Sequence, residues 1–567
     1  MLRARLLFSA LSLALVGAFA CTPWAAPARA RVQQWLGNVQ KPPHLGAGQV
    51  AGVAQLVQRT REHPSLLSDD VSTLSSTQSG AWPTPDDTEL EGLDAEIAIP
   101  NSGAAQETIE AAHAAAVGRS GYQGPRSTLD PERSLAVIGR EAFVHQQPSH
   151  RSFKLGYLRA GAIVARSPKP VGTRGCENGW YSIEPEGYVC VGKSATLDVT
   201  HPLVAATARR PDRKAALPYA YGISRFPTPP FYTKVPTPKQ QRSVEHDLAR
   251  HLTHGTAKAW QDVPRDVVPD LLQDGQPSYT WGGGLHSPHS VYTGRGLPQS
   301  GFAMLAIFDP EDRSFGFSVD LDVMPLDRLK RVEPSTFKGV ALDADTPLPL
   351  VFVRSKGAFL FSGDPRSTGL KAERGLAYRE AIAITGKAVR VGGVRYLQVR
   401  GGGYLRDEHL VRINPMKNRP GWATPGRTWL DISILKQTLV AYEGTTPIYA
   451  TLVSTGADGL GDPKKTHSTV RGQFLVHTKH VTATMSGDVV GDEFDLRDVP
   501  YVQYFTEGYA LHAAYWHDSF GTPRSHGCIN LAPLDANWLF SWTDPPVPDS
   551  WHGVMSLRQG TLVHVHP

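Results

Sequence analysis

At 567 residues the chain is long enough for three or four domains, and 58 basic against 53 acidic residues leave a formal charge of only +5. Loss of Arg3 and Arg5 with a leader takes this to +3. No segment carries the concentrated basic stripe of a nucleic-acid binder, so nucleic acid is excluded as a partner.

Residues 1–20 read as a signal peptide. Arg3 and Arg5 precede an apolar run over 6–19 that is too short to cross a membrane. Cys21 follows Ala18-Phe19-Ala20 and resembles a bacterial lipobox, which predicts a lipidated Cys21 and a membrane anchor. Cleavage after Ala20, or at Ala28-Arg29-Ala30, is the soluble-export alternative. Either way the expected location is the periplasm or cell envelope. Residues 21–135 read as a disordered tether. Between Arg61 and Arg119 there is no Lys or Arg, while Asp69, Asp70, Asp86, Asp87, Glu89, Glu91, Asp94 and Glu96 accumulate among Ser, Thr and Pro. Such a segment buries too little apolar area to offset chain entropy. Only the alanine-rich piece Glu107–Val117 has transient helical character. About 110 flexible residues reach roughly 55–60 Å.

Over 136–195, short apolar alternations are punctuated by glycine. Residues 156–164 predict strand, turn, strand, and 179–183 and 186–189 follow the same logic. Cys176 and Cys190 flank these runs and are expected to pair in an oxidising compartment, for about 3 kcal/mol on the chain-entropy model. The pattern resembles a bacterial SH3-like barrel, either a wall-binding module or a spacer packed on its neighbour. Residues 196–345 form an α+β or extended region with no assigned role. Pro-aromatic stretches occupy 218–222 and 226–232, a helical pattern covers 245–252, and another opens at Pro264 and is stopped by Pro269. Gly282–Gly284 lacks the context of a phosphate loop. Over 346–415 the barrel-like pattern recurs: 392–399 followed by Gly403-Tyr404-Leu405 parallels Tyr181 through Val189. This predicts a second SH3-like module. Its Arg390, Arg395, Arg400, Arg406 and Arg412 make either a solvated face or a contact for anionic carboxylates.

Residues 427–567 hold the chemistry. Short strands dominate, with a helical pattern only around Asp535–Phe540. Cys528 stands within Ser525-His526-Gly527-Cys528-Ile529-Asn530, and His512 closes an apolar run upstream. A thiol is a nucleophile as thiolate, and at a usual pKa of about 8.5 only a few per cent is ionised near neutrality. A nearby imidazole takes that proton, and a glycine lets backbone N–H groups approach a developing oxyanion. The reaction class predicted is covalent acyl transfer.

These residues resemble the signature of the L,D-transpeptidase (YkuD) catalytic domain. The likeness runs from Arg427 onward through Trp429-Leu430-Asp431-Ile432, residues 437–444, Thr451–Gly456 and Thr469–Phe474, where many family members have proline in place of Val470. The resemblance implies a β-sandwich with Cys528 at its mouth beneath a lid. It implies Cys528 as acylated nucleophile, His512 as general base oriented by the Ala513 carbonyl, and His526 as a pocket-shaping second proton partner. N–H groups of Gly527 and Cys528 would form the oxyanion hole. Ser525, Asn530, Tyr504 and Trp516 would line the substrate groove. The implied partners are peptidoglycan stem peptides, as donor and acceptor, with carbapenem acylation by the same thioester logic, and no cofactor. A degenerate, non-catalytic wall-binding lipoprotein is the alternative class. The rival chemistry is zinc held by His512, His517, His526 and Cys528, disfavoured because only His526 and Cys528 form a close pair. His477, His480, His564 and His566 read as strand-surface residues. The fold class predicted is mostly β and multi-domain.

Overall fold

The computed structural model describes residues 130–253, 257–273, 291–487, 493–556 and 559–567. The expected leader, Cys21 and the tether up to residue 129 lie outside the described residues, as does Gly282–Gly284.

The chain is mostly β. The C-terminal region is built from two sheets that face one another. One runs in the order Val340–Ala341, Thr446–Leu452, Thr438–Glu443, Thr428–Ser433, Leu562–His566, Gly472–Leu475. The other contains the long hairpin Thr478–Gly487 and Phe494–Thr506, followed by Tyr509–Ala513 and Ile529–Leu531. Alternation along the strands fills the space between. Leu430, Ile432, Leu439 and Val563 from the first sheet meet Val481, Leu511 and Ile529 from the second, together with Trp538 and Leu539 of the helix Pro533–Trp542. Proline opens this helix, where no N–H is needed. Its C-terminal end is held by buried Lys479, whose Nζ donates to the carbonyls of Phe540 (2.7 Å) and Thr543 (2.6 Å). A cation there also meets the negative end of the helix dipole.

Two small β units share one pairing scheme. In the first, Ser134–Val137 pairs with Ile163–Ala165 and Ala195–Thr196, Glu141–His145 with Lys154–Arg159 and Tyr188–Cys190, and Tyr188–Cys190 with Trp180–Ser182. In the second, Leu350–Val353, Phe359–Ser362, Lys371–Gly375, Ala381–Val391, Val394–Val399, Tyr404–Arg406 and Leu410–Ile413 repeat those partnerships strand for strand. Cys176 and Cys190 form a disulfide with Cα atoms 5.7 Å apart.

The first unit is fused to the sandwich. Lys154–Arg159 pairs with Gly553–Met555, and the two cores are continuous. The backbones approach so closely at Gly156 that a Cβ there would stand 2.2 Å from the Gly553 carbonyl oxygen. Only glycine fits. The second unit packs on the outer face of the other sheet, where Leu350, Phe352, Val411 and Ile413 meet Trp429, Val440 and Tyr442.

Residues 196–345 are also part of this body. The short helix Leu248–Thr253 covers most of the predicted 245–252 pattern, just after another at Pro238–Val244, and the described residues 264–269 form no helix. The strand Gly301–Phe308, buried along its whole length, pairs with Ala220–Ser224 and Phe315–Ser318. Through Gly301 it touches Leu496 of the long hairpin. The region therefore backs the hairpin that runs up to the site.

Candidate active site

The site forms where Tyr509–Ala513 and Ile529–Leu531 run parallel, with Leu511 opposite Ile529, His512 opposite Asn530 and Ala513 opposite Leu531. Leu511, Ala513, Ile529 and Leu531 all enter the sandwich core. Paired positions in a parallel sheet share a face, so His512 and Asn530 lie on the opposite one. Cys528, two positions before Asn530, reaches that same face. Cys528 stands in the bend just before the strand and packs in the same cluster as Trp516, whose ring lies against His512.

His512 is buried, and burial pushes its imidazole down to about 4. It is therefore neutral at physiological pH. Its Nδ1 lies 3.2 Å from the Ala513 carbonyl oxygen. A carbonyl only accepts, so Nδ1 carries the proton and Nε2 keeps a lone pair. Trp516, half-buried, lies against this ring with centroids 5.7 Å apart.

The loop that presents the thiol is held from several sides. Ser525 Oγ accepts from Gly527 N–H at 3.0 Å and donates to the Cys528 carbonyl. Thr469 Oγ1 accepts from Gly456 N–H and donates to the Gly527 carbonyl, both at 2.8 Å. Asn530 N–H donates to Ser454 O at 2.9 Å. Gly527 takes φ 124°, and a Cβ there would meet the Tyr509 ring at 2.8 Å. The half-buried Cys528 thiol donates to the Gly508 carbonyl at 3.6 Å and is outside any disulfide.

Four assignments change on this geometry. The Gly527 N–H is committed to Ser525, so it does not serve an oxyanion here, and Gly527 acts through its backbone conformation instead. Ser525 is buried and both roles of its hydroxyl are used within the loop, so it staples the loop and does not bind substrate. His526 is exposed and stands between the rings of His467 (4.6 Å) and Phe494 (4.8 Å), which places it at the rim. Tyr504, half-buried, turns its ring edge-on to His480 at 5.7 Å. His480 itself is buried against the Tyr157 hydroxyl at 2.9 Å, and is no surface residue.

Asn530 is 2 % exposed, and its amide lies 2.9 Å from His517 Nε2. Ser519 N–H donates to His517 Nδ1 at 3.1 Å, so in the neutral ring Nε2 holds the proton. Burial, then Arg524 and His512, keep His517 neutral by driving it to about 3. The amide oxygen of Asn530 must then face His517, turning its NH2 toward the end that has no partner among the described residues. The rival zinc set does not assemble: among the described residues, His512, His517, His526 and Cys528 do not gather into a metal-binding group. Thr469, Gly508 and the structural use of His517 were not singled out from sequence. Thr469 carried a signal, since it opens a segment already matched, but its double hydrogen bond is a tertiary fact.

The fold is one of two facing sheets, with a cysteine just before one strand and a neutral, carbonyl-oriented histidine on the strand parallel to it. Residues 427–565 match the model of the YkuD family, the L,D-transpeptidase catalytic domain, and this part of the chain belongs to that family. The Bacillus subtilis (strain 168) protein YciB, assigned to the L,D-transpeptidases by name only, is 27 % identical over 138 residues, 20 % of this chain and 59 % of that one. The chain thus spans about 59 % of the length of this curated relative. An L,D-transpeptidase structure from Xylanimonas cellulosilytica aligns at 24 % identity, covering 27 % of this chain and 65 % of that one, with a TM-score of 0.19. One from Mycobacterium smegmatis aligns at 19 % identity, covering 42 % and 89 %, with a TM-score of 0.20. The L,D-transpeptidase LdtMt1, solved in complex with imipenem, aligns at 19 % identity over 32 % and 78 %, also with a TM-score of 0.20.

Proposed function

We propose that the protein is a peptidoglycan L,D-transpeptidase that works through a Cys528 thioester. The observation that carries this reading is the neutral His512, its Nδ1 proton held by the Ala513 carbonyl, on the strand beside Cys528. His512 Nε2 takes the thiol proton as Sγ attacks the carbonyl carbon of the third residue of a tetrapeptide stem. The C–N bond to the terminal D-alanine breaks, and the proton passes from His512 to the departing amine. An acceptor amine then attacks the thioester, giving its proton to His512, and the amide forms as the thiolate leaves. A side-chain amine of a neighbouring stem gives a 3→3 cross-link, a protein lysine gives anchoring, and water gives trimming. The Cys528 N–H and the Asn530 NH2 are the donors proposed for the developing oxyanion. Imipenem, the ligand of LdtMt1, would acylate the same sulfur here.

The Cys176–Cys190 disulfide supports an exported, oxidising setting, and lipidation at Cys21 remains part of this proposal. Of the two small β units, the first acts as support for the sandwich; in the second, Arg395 and Arg406 lie beside Asp407 and Glu408, which suits a solvated face. In the test, purified protein is incubated with tetrapeptide muropeptides and D-alanine and cross-linked products are measured. Wild type is expected to release D-alanine, Cys528→Ala none, and His512→Ala at least 100-fold less near neutral pH. Undiminished release by Cys528→Ala would move the nucleophile elsewhere. A second arm incubates the protein with tetrapeptide stems plus a lysine-bearing peptide, and the product masses give the acceptor.

A further inference from the structure

We infer that Asp431, His564 and His566 form a divalent transition-metal site, zinc by ligand chemistry, on the face of the sandwich turned away from Cys528. This reverses the expectation that the two histidines are idle strand-surface residues and that the chain holds no metal.

The arrangement follows from strand register. Thr428–Ser433 and Leu562–His566 run parallel with Asp431 opposite His564. Leu430, Ile432, Val563 and Val565 point into the core, so Asp431, His564 and His566 emerge together on the other face, all half-buried. His564 Nδ1 and His566 Nε2 stand 3.1 and 3.3 Å from the same Asp431 oxygen, Oδ1. The three candidate ligand atoms all lie within 4.8 Å of one another. For a tetrahedral zinc with bonds of about 2.0–2.1 Å, ligand atoms are separated by roughly 3.3–3.4 Å. Two of the three edges are therefore already close to the required length, and only the His–His edge has to close.

Two further features suit a metal. His566 Nδ1 lies 2.9 Å from the Pro567 oxygen, which can only accept, so Nδ1 keeps its proton; without metal Nε2 donates to Asp431, and it is this Nε2 proton that an incoming cation displaces. The Nδ1 contact is the outer hydrogen bond that ligating histidines commonly make, because it fixes tautomer and ring orientation. The imidazoles of His564 and His566 also stack at 5.0 Å and 27°, so both present their edges on one side. Two imidazoles and one carboxylate suit Zn²⁺, with Ni²⁺ and Cu²⁺ as competitors, and leave a fourth position for water. Such an ion would tie the C-terminal strand to the strand that opens the sandwich. Because the core separates it from the thiol, it would stabilise the fold without taking part in acyl transfer.

The test uses the full chain, freed of metal by chelation and titrated with Zn²⁺ by calorimetry. Because Cys528 can itself bind zinc, Cys528→Ala is titrated in parallel. One equivalent is expected in both proteins, with at least ten-fold weaker binding after His566→Gln and after Asp431→Asn, the latter keeping the shape of the carboxylate. Trp422, whose ring is 5.2 Å from His564, supplies a second readout: Cu²⁺ should quench part of the tryptophan emission, and Trp422→Phe should remove that part. Stoichiometry and affinity unchanged by His566→Gln and Asp431→Asn, or binding abolished by Cys528→Ala, would overturn the inference. These outcomes are independent of whether the protein is a transpeptidase.

Discussion

The two small β units share a strand-pairing scheme, yet they are joined to the sandwich differently. The first shares the apolar core of the sandwich and adds buried polar groups to it. Arg159 Nη1 meets Asp498 Oδ1 at 2.6 Å with almost no exposure of either side chain, and the Tyr157 hydroxyl meets His480 at 2.9 Å. Both partners, Asp498 and His480, sit on the long hairpin whose strands lead to the site. The second is joined mainly through an apolar patch, with Phe352 and Val411 against Trp429, Val440 and Tyr442, the Trp429 and Tyr442 rings stacking at 4.3 Å, and by the Arg379–Asp518 ion pair at its rim. A buried charged joint holds only when every partner is present, whereas an apolar joint weakens in proportion to what is removed. The first unit is therefore coupled to the geometry of the site, and the second serves as a more independent appendage.

The largest effect expected from breaking this contrast is at the polar joint. Arg159→Ala leaves Asp498 buried without its counter-charge and should cost about 3–5 kcal/mol, with loss of transpeptidase activity below the melting point. Denaturant unfolding and D-alanine release measure the two. Phe352→Ala, at the apolar joint, should also cost about 3–5 kcal/mol, yet leave kcat/KM in the remaining folded protein within two-fold of wild type. Equal loss of activity in both variants would erase the distinction.

Acid should separate the joints as well. Burial lowers His480 from 6.5 to about 4. Its folded value lies below its unfolded one, so the unfolded chain binds the extra proton between those limits. Stability is then full above about 6.5 and lost as pH falls toward 4, by on the order of 3 kcal/mol. Tyr157→Phe should leave this window in place, and His480→Gln should make it shallower by that amount in melting curves taken across pH, the share of buried His512 and His517 remaining. Cutting the disulfide with Cys176→Ser and Cys190→Ser should cost about 3 kcal/mol, confined to the first unit and visible as local hydrogen exchange. The smallest effect belongs to the exposed pair Lys465–Asp462, where Lys465→Ala should shift stability by no more than about 1 kcal/mol.

How much of this was legible in the sequence differs from place to place. The site was, because Cys528 and its neighbours form one contiguous hexamer and His512 ends an apolar run on the next strand. The repeat was visible for a similar reason: Val394–Val399 and Tyr404–Arg406 occupy the positions of Trp180–Ser182 and Tyr188–Cys190 in the shared scheme. Residues 196–345 were not. Gly301–Phe308 is buried on both faces, so it shows no period-two alternation, and its neighbours are strands of three to five residues broken by proline. Its partner Leu496 is almost two hundred positions away, a pairing no local pattern encodes. The same holds for Thr469, which joins Gly456 to Gly527, and for Ser525, whose hydroxyl looked available until the loop folded over it.

The central claim is that one sulfur carries the acyl group. Protein incubated with a tetrapeptide muropeptide, quenched in acid, and examined by intact-mass and peptide-mapping mass spectrometry tests it directly. A mass equal to the stem peptide less its terminal D-alanine, located on the peptide containing Cys528 and labile to hydroxylamine, is the result expected. Turnover of the muropeptide with no adduct on Cys528, or with the adduct on another residue, would contradict it.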